Sequence, residues 1–219
     1  MGIKNSRFFQ RNSKFQTGSI LMVGLNGAGK TTIANILTNK EIFDIKPTEG
    51  YTWMLDAYRC KKFIFSIFDV GSQERIRDLW LKTKCLDDGS LKGVIFVVDS
   101  ADVERIPEAI EFLRNIVTFF QPALVPVVVI ANKQDLPGAL TPLDLCNLLS
   151  LSIALSTRKA PHFRVFGASA ADEASLHNAM RKLCDMIKER EKMFKKLLPH
   201  LMEIQQQTGM KLTLNVQNN

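Results

Sequence analysis

Three short stretches carry residue types at spacings suited to phosphate and base chemistry. The first is Gly24-Leu25-Asn26-Gly27-Ala28-Gly29-Lys30-Thr31, directly after the apolar run Ser19-Ile20-Leu21-Met22-Val23. A glycine-rich loop between a predicted strand and a predicted helix is the context in which this pattern holds a phosphate. Glycines at 24, 27 and 29 let backbone N–H groups turn inward around phosphate oxygens with no Cβ in the way. A helix opening at Lys30 adds its positive N-terminal end. Lys30 is expected to reach β- and γ-phosphates, and Thr31 to give its hydroxyl to Mg2+. Asn26, Ala28 and Thr32 complete the expected nucleotide contacts of this loop.

The second stretch, Asn132-Lys133-Gln134-Asp135, ends the apolar run Val125-Pro126-Val127-Val128-Val129-Ile130-Ala131. A carboxylate accepts from both the N1–H and the N2–H2 of guanine, and adenine has no such donor pair. Asp135 would therefore select guanine, because a wrong base leaves buried polar groups unpaired. Lys133 can lay its aliphatic stem on the base, and Asn132 can tie this loop back to the phosphate loop. The third stretch is Asp69-Val70-Gly71-Ser72-Gln73-Glu74, after a predicted strand over 62–68. Asp69 at a strand end is placed to hold the Mg2+ shell through water, and Gln73 could orient an attacking water. Thr48, after Pro47, offers a hydroxyl in a loop that could close over Mg2+. These are the remaining parts for phosphoryl transfer to water.

With those residues, the chain resembles the Arf and Arf-like family of small GTP-binding proteins over about residues 1–195. Pro47-Thr48, Asp78-Leu79-Trp80, Ile95-Phe96-Val97-Val98-Asp99-Ser100 and Ala131 through Pro137 are similar to Arf signatures. Val98 through Arg105 and Asp185 through Met193 look most like the Arf-like 4 subgroup. The segment from Thr48 to Asp69 is about two residues longer than in Arf itself, as in that subgroup. The resemblance implies a GTP/GDP switch with Mg2+, slow GTP hydrolysis, and an exchange factor, a GTPase-activating protein and effectors as partners. It implies two nucleotide-ordered loops near 44–51 and 69–84, and strands between them that slide in register and free an N-terminal helix. It also implies that Ser169-Ala170 forms the third guanine loop, with the Ala170 N–H meeting the base oxygen. Two residues depart from the pattern. Ser72 stands where the family has a glycine whose N–H meets the γ-phosphate; serine keeps the N–H but lacks glycine's backbone freedom. Either the substitution is tolerated, or the chain is a GTP-bound interaction scaffold with impaired hydrolysis or switching. Asn26 stands where Arf itself has an acidic residue.

The elements that must position these residues alternate. Strands are predicted near 20–24, 52–58, 62–68, 93–98, 125–131 and 162–167, and helices near 30–39, 76–84, 103–120, 141–150 and 174–198. That order argues a doubly wound α/β fold, a mostly parallel six-stranded sheet with helices on both faces. The loops of interest then fall at the carboxyl ends of strands, where such sheets bind ligands. Strands 52–58 and 62–68 are close enough in sequence to pair antiparallel. An adenine-nucleotide kinase or ATPase is the rival class; it would need an adenine pocket and a phosphate acceptor site.

Net charge is +7, unevenly placed. Residues 1–19 carry +4 and residues 181–196 another +4, so the body between is near neutral. Basic ends suit an anionic membrane surface, at about 1 kcal/mol per basic residue near it; no nucleic-acid module accompanies them. Met1-Gly2-Ile3-Lys4-Asn5-Ser6 fits the myristoylation pattern on Gly2. One such chain holds a membrane only marginally, so Ile3, Phe8, Phe9 and Phe15, interleaved with basic residues, would supply the second signal. The expected organisation is an amphipathic, acylated segment over 1–18, a GTPase domain over 19–198 and a flexible tail over 199–219. No apolar run approaches a membrane span, and Cys60, Cys85, Cys146 and Cys184 lack metal or disulfide spacing. These features suit a cytoplasmic monomer peripheral to the plasma membrane or to Golgi and endosomal membranes. His162, His177 and His200 share no ligand spacing.

Overall fold

The computed structural model describes residues 15–39, 51–70, 90–120, 124–157 and 163–208, with 51–57, 151–157 and 201–208 described by backbone alone. Chain order is β1 (Gln16–Gly24), α1 (Lys30–Leu37), β2 (Tyr51–Cys60), β3 (Phe63–Val70) and β4 (Leu91–Asp99). A 3-10 turn (Val103–Arg105), α2 (Ile106–Phe120), β5 (Val127–Asn132), α3 (Pro142–Thr157), β6 (Phe163–Gly167) and α4 (Glu173–Thr208) follow.

The strands form one sheet in the order β2-β3-β1-β4-β5-β6. β2 and β3 pair antiparallel, and every other neighbour pair is parallel. Both faces are covered, so side chains of alternate parity enter two separate cores. Ile20, Met22, Ile95, Val97, Val128 and Ile130 pack with α1 and α4. Leu21, Val23, Val94, Phe96, Val127 and Val129 pack with α2 and α3. This double burial explains why the central strands read as continuous apolar runs.

Four local features differ from the sequence expectation. The hairpin between β2 and β3 turns on Lys61-Lys62 alone, with Lys61 left-handed at φ 53°. Along that pair Met54 faces Ile67 and Ala57 faces Ser66, so Leu55 and Asp56 bulge out of the ladder. α3 continues to Thr157, because the run from Leu151 to Thr157 contains no glycine or proline to stop it. α4 runs through Pro199 to Thr208. Proline deprives the Lys195 carbonyl of its helical donor, and Lys195 and Pro199 are exposed, where water can replace the bond. The predicted helix over 76–84 lies outside the described residues.

The hairpin is fastened to α4. Glu173 can only accept, so His177 Nε2–H donates to it at 3.0 Å, leaving Nδ1 to accept from the Tyr58 hydroxyl at 2.7 Å. Lys61 pairs with Asp185 at 2.5 Å, and the Cys184 thiol donates to the Cys60 carbonyl at 3.8 Å. Burial pushes the Tyr58 hydroxyl well above its ordinary pKa, so it stays a donor.

Candidate nucleotide-binding site

The loop after β1 has the backbone shape its glycines imply. Gly27 and Gly29 have φ of 78° and 94°, a region that L side chains rarely enter. A Cβ on Gly24 would lie 2.2 Å from the Val97 carbonyl, and one on Gly29 would lie 2.4 Å from Asn132 Nδ2. The loop is therefore pressed against β4 and β5. α1 begins with no side-chain cap and no acidic residue in its first turn, so its positive end is left for an anion. Lys30 is only 6% exposed, and its Nζ donates to the Gly24 and Leu25 carbonyls, each at 3.0 Å. Burial holds its ammonium below the ordinary lysine pKa, with Asp69 opposing. A cradle that bulk would fill, an uncapped helix start and a buried ammonium together fit a phosphate.

Thr31 and Asp69 meet beside that cradle. The Thr31 hydroxyl donates to Asp69 Oδ2 at 2.5 Å, and Asp69 is fully buried. A hydroxyl that can ligate directly, beside a carboxylate that can hold the ion's water shell, fits the needs of Mg2+. Asp69 is positioned because Met22 faces it across the parallel β1–β3 ladder. Thr32 continues α1 into its first turn. Thr48, Ser72, Gln73 and Gly2 lie outside the described residues.

The base-reading loop closes on the phosphate loop from the other side. Asn132 ends β5 at 1% exposure, and its Nδ2 donates to the Ala28 carbonyl at 2.8 Å. Lys133 is left-handed at φ 62°, and its Nζ donates to Asp99 Oδ2 at 2.6 Å. Asp135 is exposed, and its Oδ1 accepts from the Ser169 hydroxyl at 2.5 Å. That bond holds the Asp135 carboxyl below the usual aspartate pKa. Ser169 Oγ also accepts from the Ala171 N–H at 2.9 Å, and Ala170 lies in the turn between Ser169 and Asp172. Asp172 caps α4 by accepting from Ala174 and Ser175 at 3.1 and 3.3 Å, which fixes that turn.

The sequence motifs did not disclose three supports of this site. Asp99 anchors Lys133. Gln134 Nε2 donates to the Leu140 carbonyl at 2.9 Å, and its N–H donates to the Ala168 carbonyl at 3.3 Å, so the two base loops are tied together. Arg105 reaches the phosphate loop, its Nη1 donating to the Asn26 carbonyl at 3.0 Å. The Asp102-to-Arg105 spacing was the available signal, but it reads equally as a surface ion pair.

Comparison with known proteins agrees with this geometry. The model of the ADP-ribosylation factor family matches residues 5–187. The chain is 37% identical to human ADP-ribosylation factor-like protein 4A over 185 residues, covering 83% of this chain and 88% of that protein. It is 36% identical to human ADP-ribosylation factor-like protein 4C over 187 residues, covering 84% and 93%. Among solved structures it is similar to the Arl6 BBS3 small GTPase from Trypanosoma brucei with bound nucleotide analogue GppNp. There the TM-score is 0.64 at 26% identity, covering 80% of this chain and 99% of that one. The sheet, its helices and the glycine loop make up a P-loop GTPase fold. Arf-family GTPases are GTP-binding switches that bind GTP and GDP, typically with Mg2+, and hydrolyse GTP. The chain belongs to the ADP-ribosylation factor family, as an Arf-like small GTPase close to the Arf-like 4 group.

Proposed function

We propose that this chain is a membrane-associated switch whose bound guanine nucleotide controls exposure of an acylated, basic N-terminal segment and the recruitment of effectors. The observation that carries the reading is the 2.8 Å bond from Asn132 to Ala28, which makes the phosphate loop and the base loop one site. In this reading the N–H groups from Gly24 through Thr32 surround the phosphates, and Lys30 turns from its two carbonyls onto the β- and γ-oxygens. Thr31, Thr48 and, through water, Asp69 would hold Mg2+, which supplies charge neutralisation at the transferred phosphoryl group. Asp135 reads the guanine N–H donors, Lys133 covers the base, and Ser169 and Ala170 close its far edge. Ser72 would place its N–H at the γ-phosphate and Gln73 would orient water, with turnover slow until a partner supplies an arginine.

Sliding of β2 and β3 against β1 would couple this site to the N-terminus, and the fastening of Tyr58, Cys60 and Lys61 to α4 would resist it. Among the described residues no helix is long and apolar enough to cross a membrane; attachment would come from Gly2 acylation with the basic and aromatic residues of 1–18. An exchange factor, an activating protein and effectors follow from the family, and an anionic lipid surface follows from the charge. The test is flotation of N-myristoylated protein on anionic liposomes after verified loading with GDP or a non-hydrolysable GTP analogue. Higher recovery with the GTP analogue is expected. Equal recovery would refute the coupling and favour a constitutively placed GTP-bound scaffold, as Ser72 would allow.

A further inference from the structure

One contact at the phosphate loop falls outside both the phosphate and the base motifs. β4 ends at Asp99, and the chain turns through Asp102 into the 3-10 turn that carries Arg105. Asp102 accepts from the Arg105 backbone N–H at 3.4 Å and from its Nε at 2.6 Å, and it also pairs with Nη2. The guanidinium plane is thus fixed at two points by one carboxylate. Its remaining arm, Nη1, donates to the Asn26 carbonyl at 3.0 Å, across 79 positions of sequence.

The position of that carbonyl matters. Asn26 and Gly27 are joined by a trans peptide, so the Asn26 oxygen and the Gly27 N–H lie in one plane and point in opposite directions across the C–N bond. Holding the oxygen toward Arg105 therefore sends the Gly27 N–H away from Arg105. Among the described residues, its chain neighbours apart, the one heavy atom within 4 Å of a Cβ built on Gly27 is Arg105 Nη2, at 3.8 Å. A small, partly open pocket bounded by Leu25, Asn26, Val97, Asp99, Arg105 and Ile106 lies beside the loop.

We propose that Arg105, held by Asp102, is a positioning residue for nucleotide binding: it grips the Asn26 carbonyl and so aims the Gly27 N–H at the phosphates. The proposal rests on the nucleotide reading above. It assigns a function to a pair that would contribute little as a surface ion pair, since Arg105 and Asp102 side chains are 43% and 30% exposed. Fold stability and nucleotide retention should therefore separate.

The experiment follows release of a fluorescent GDP analogue from the full chain in Mg2+, with excess GDP as chase, and the 31P spectrum of bound GDP. Arg105→Ala should release the analogue about five- to tenfold faster and move the β-phosphate resonance. Arg105→Lys, which keeps one donor, should fall between Arg105→Ala and the parent. Unchanged release, or an unmoved β-phosphate resonance, in Arg105→Ala would overturn the proposal. Should Arg105→Ala fail to fold, Asp102→Ala decides, with faster release expected and unchanged release contradicting the assignment. A folded parent that retains no GDP analogue would instead sink the nucleotide reading, and the role of Arg105 with it.

Discussion

Replacing Asn132 with alanine removes the single described bond that joins the base loop to the phosphate loop. Asn132 Nδ2 donates to the Ala28 carbonyl at 2.8 Å, and the two residues are each 1% exposed. Alanine cannot donate, and water has little access, so the Ala28 carbonyl is left without that donor. An orphaned buried acceptor costs about 1–3 kcal/mol. In the proposed complex both loops grip the same ligand, so the loss should weaken that complex. At about 1.4 kcal/mol per tenfold, GDP release should quicken by about 5- to 150-fold. Gly29 adds a structural check. Its absent Cβ would lie 2.4 Å from the same Nδ2, so Gly29→Ala should disturb the same bond and quicken release in the same direction. The assay is decay of a fluorescent GDP analogue on addition of excess GDP, with circular dichroism confirming a retained fold. Release at the parental rate in folded Asn132→Ala would refute the claim that this bond unites the site.

Three further outcomes follow from the geometry. Burial lowers the Lys30 pKa from its ordinary 10.5, which costs stability at lower pH and less as pH rises through the lowered value. A bound phosphate raises that pKa again, so GDP affinity measured by calorimetry should fall as pH climbs through the free-state Lys30 value, and Lys30→Met should lose this alkaline dependence. Asp135 is held below the ordinary aspartate value of 3.8 by Ser169, so preference for GDP over ADP should stay flat as pH drops from neutral toward 3.8. Leu183 is fully buried, and a Cβ on Gly93 would come within 2.8 Å of its Cδ1. Leu183→Ala should cost about 2–5 kcal/mol in urea unfolding, and adding Gly93→Ala should cost less in that background than alone, because the cavity accepts the methyl.

The candidate nucleotide site was legible where its chemistry is local. Gly24 through Thr31 and Asn132 through Asp135 are contiguous, and each residue type answers a need of a phosphate or a base. The sheet was readable because burial on both faces leaves strands such as Val94–Val98 and Val127–Ala131 apolar throughout. Contacts across long sequence separations were not. Arg105 reaches Asn26 across 79 positions and Tyr58 reaches His177 across 119; in sequence Arg105 is one of many charges and His177 an isolated ring. Boundaries failed for a different reason. Pro199 reads as a stop because proline costs a helix interior about 3 kcal/mol, but the carbonyl it strands belongs to an exposed residue that water can reach, so the helix continues through it.

The most direct test of the account is displacement of a bound fluorescent GDP analogue from the full chain in Mg2+ by unlabelled GDP or ADP. GDP should displace it at far lower concentration than ADP, and Asp135→Asn should abolish that preference. Equal displacement by ADP, or a preference unchanged in Asp135→Asn, would contradict the assignment of Asp135 as the reader of guanine.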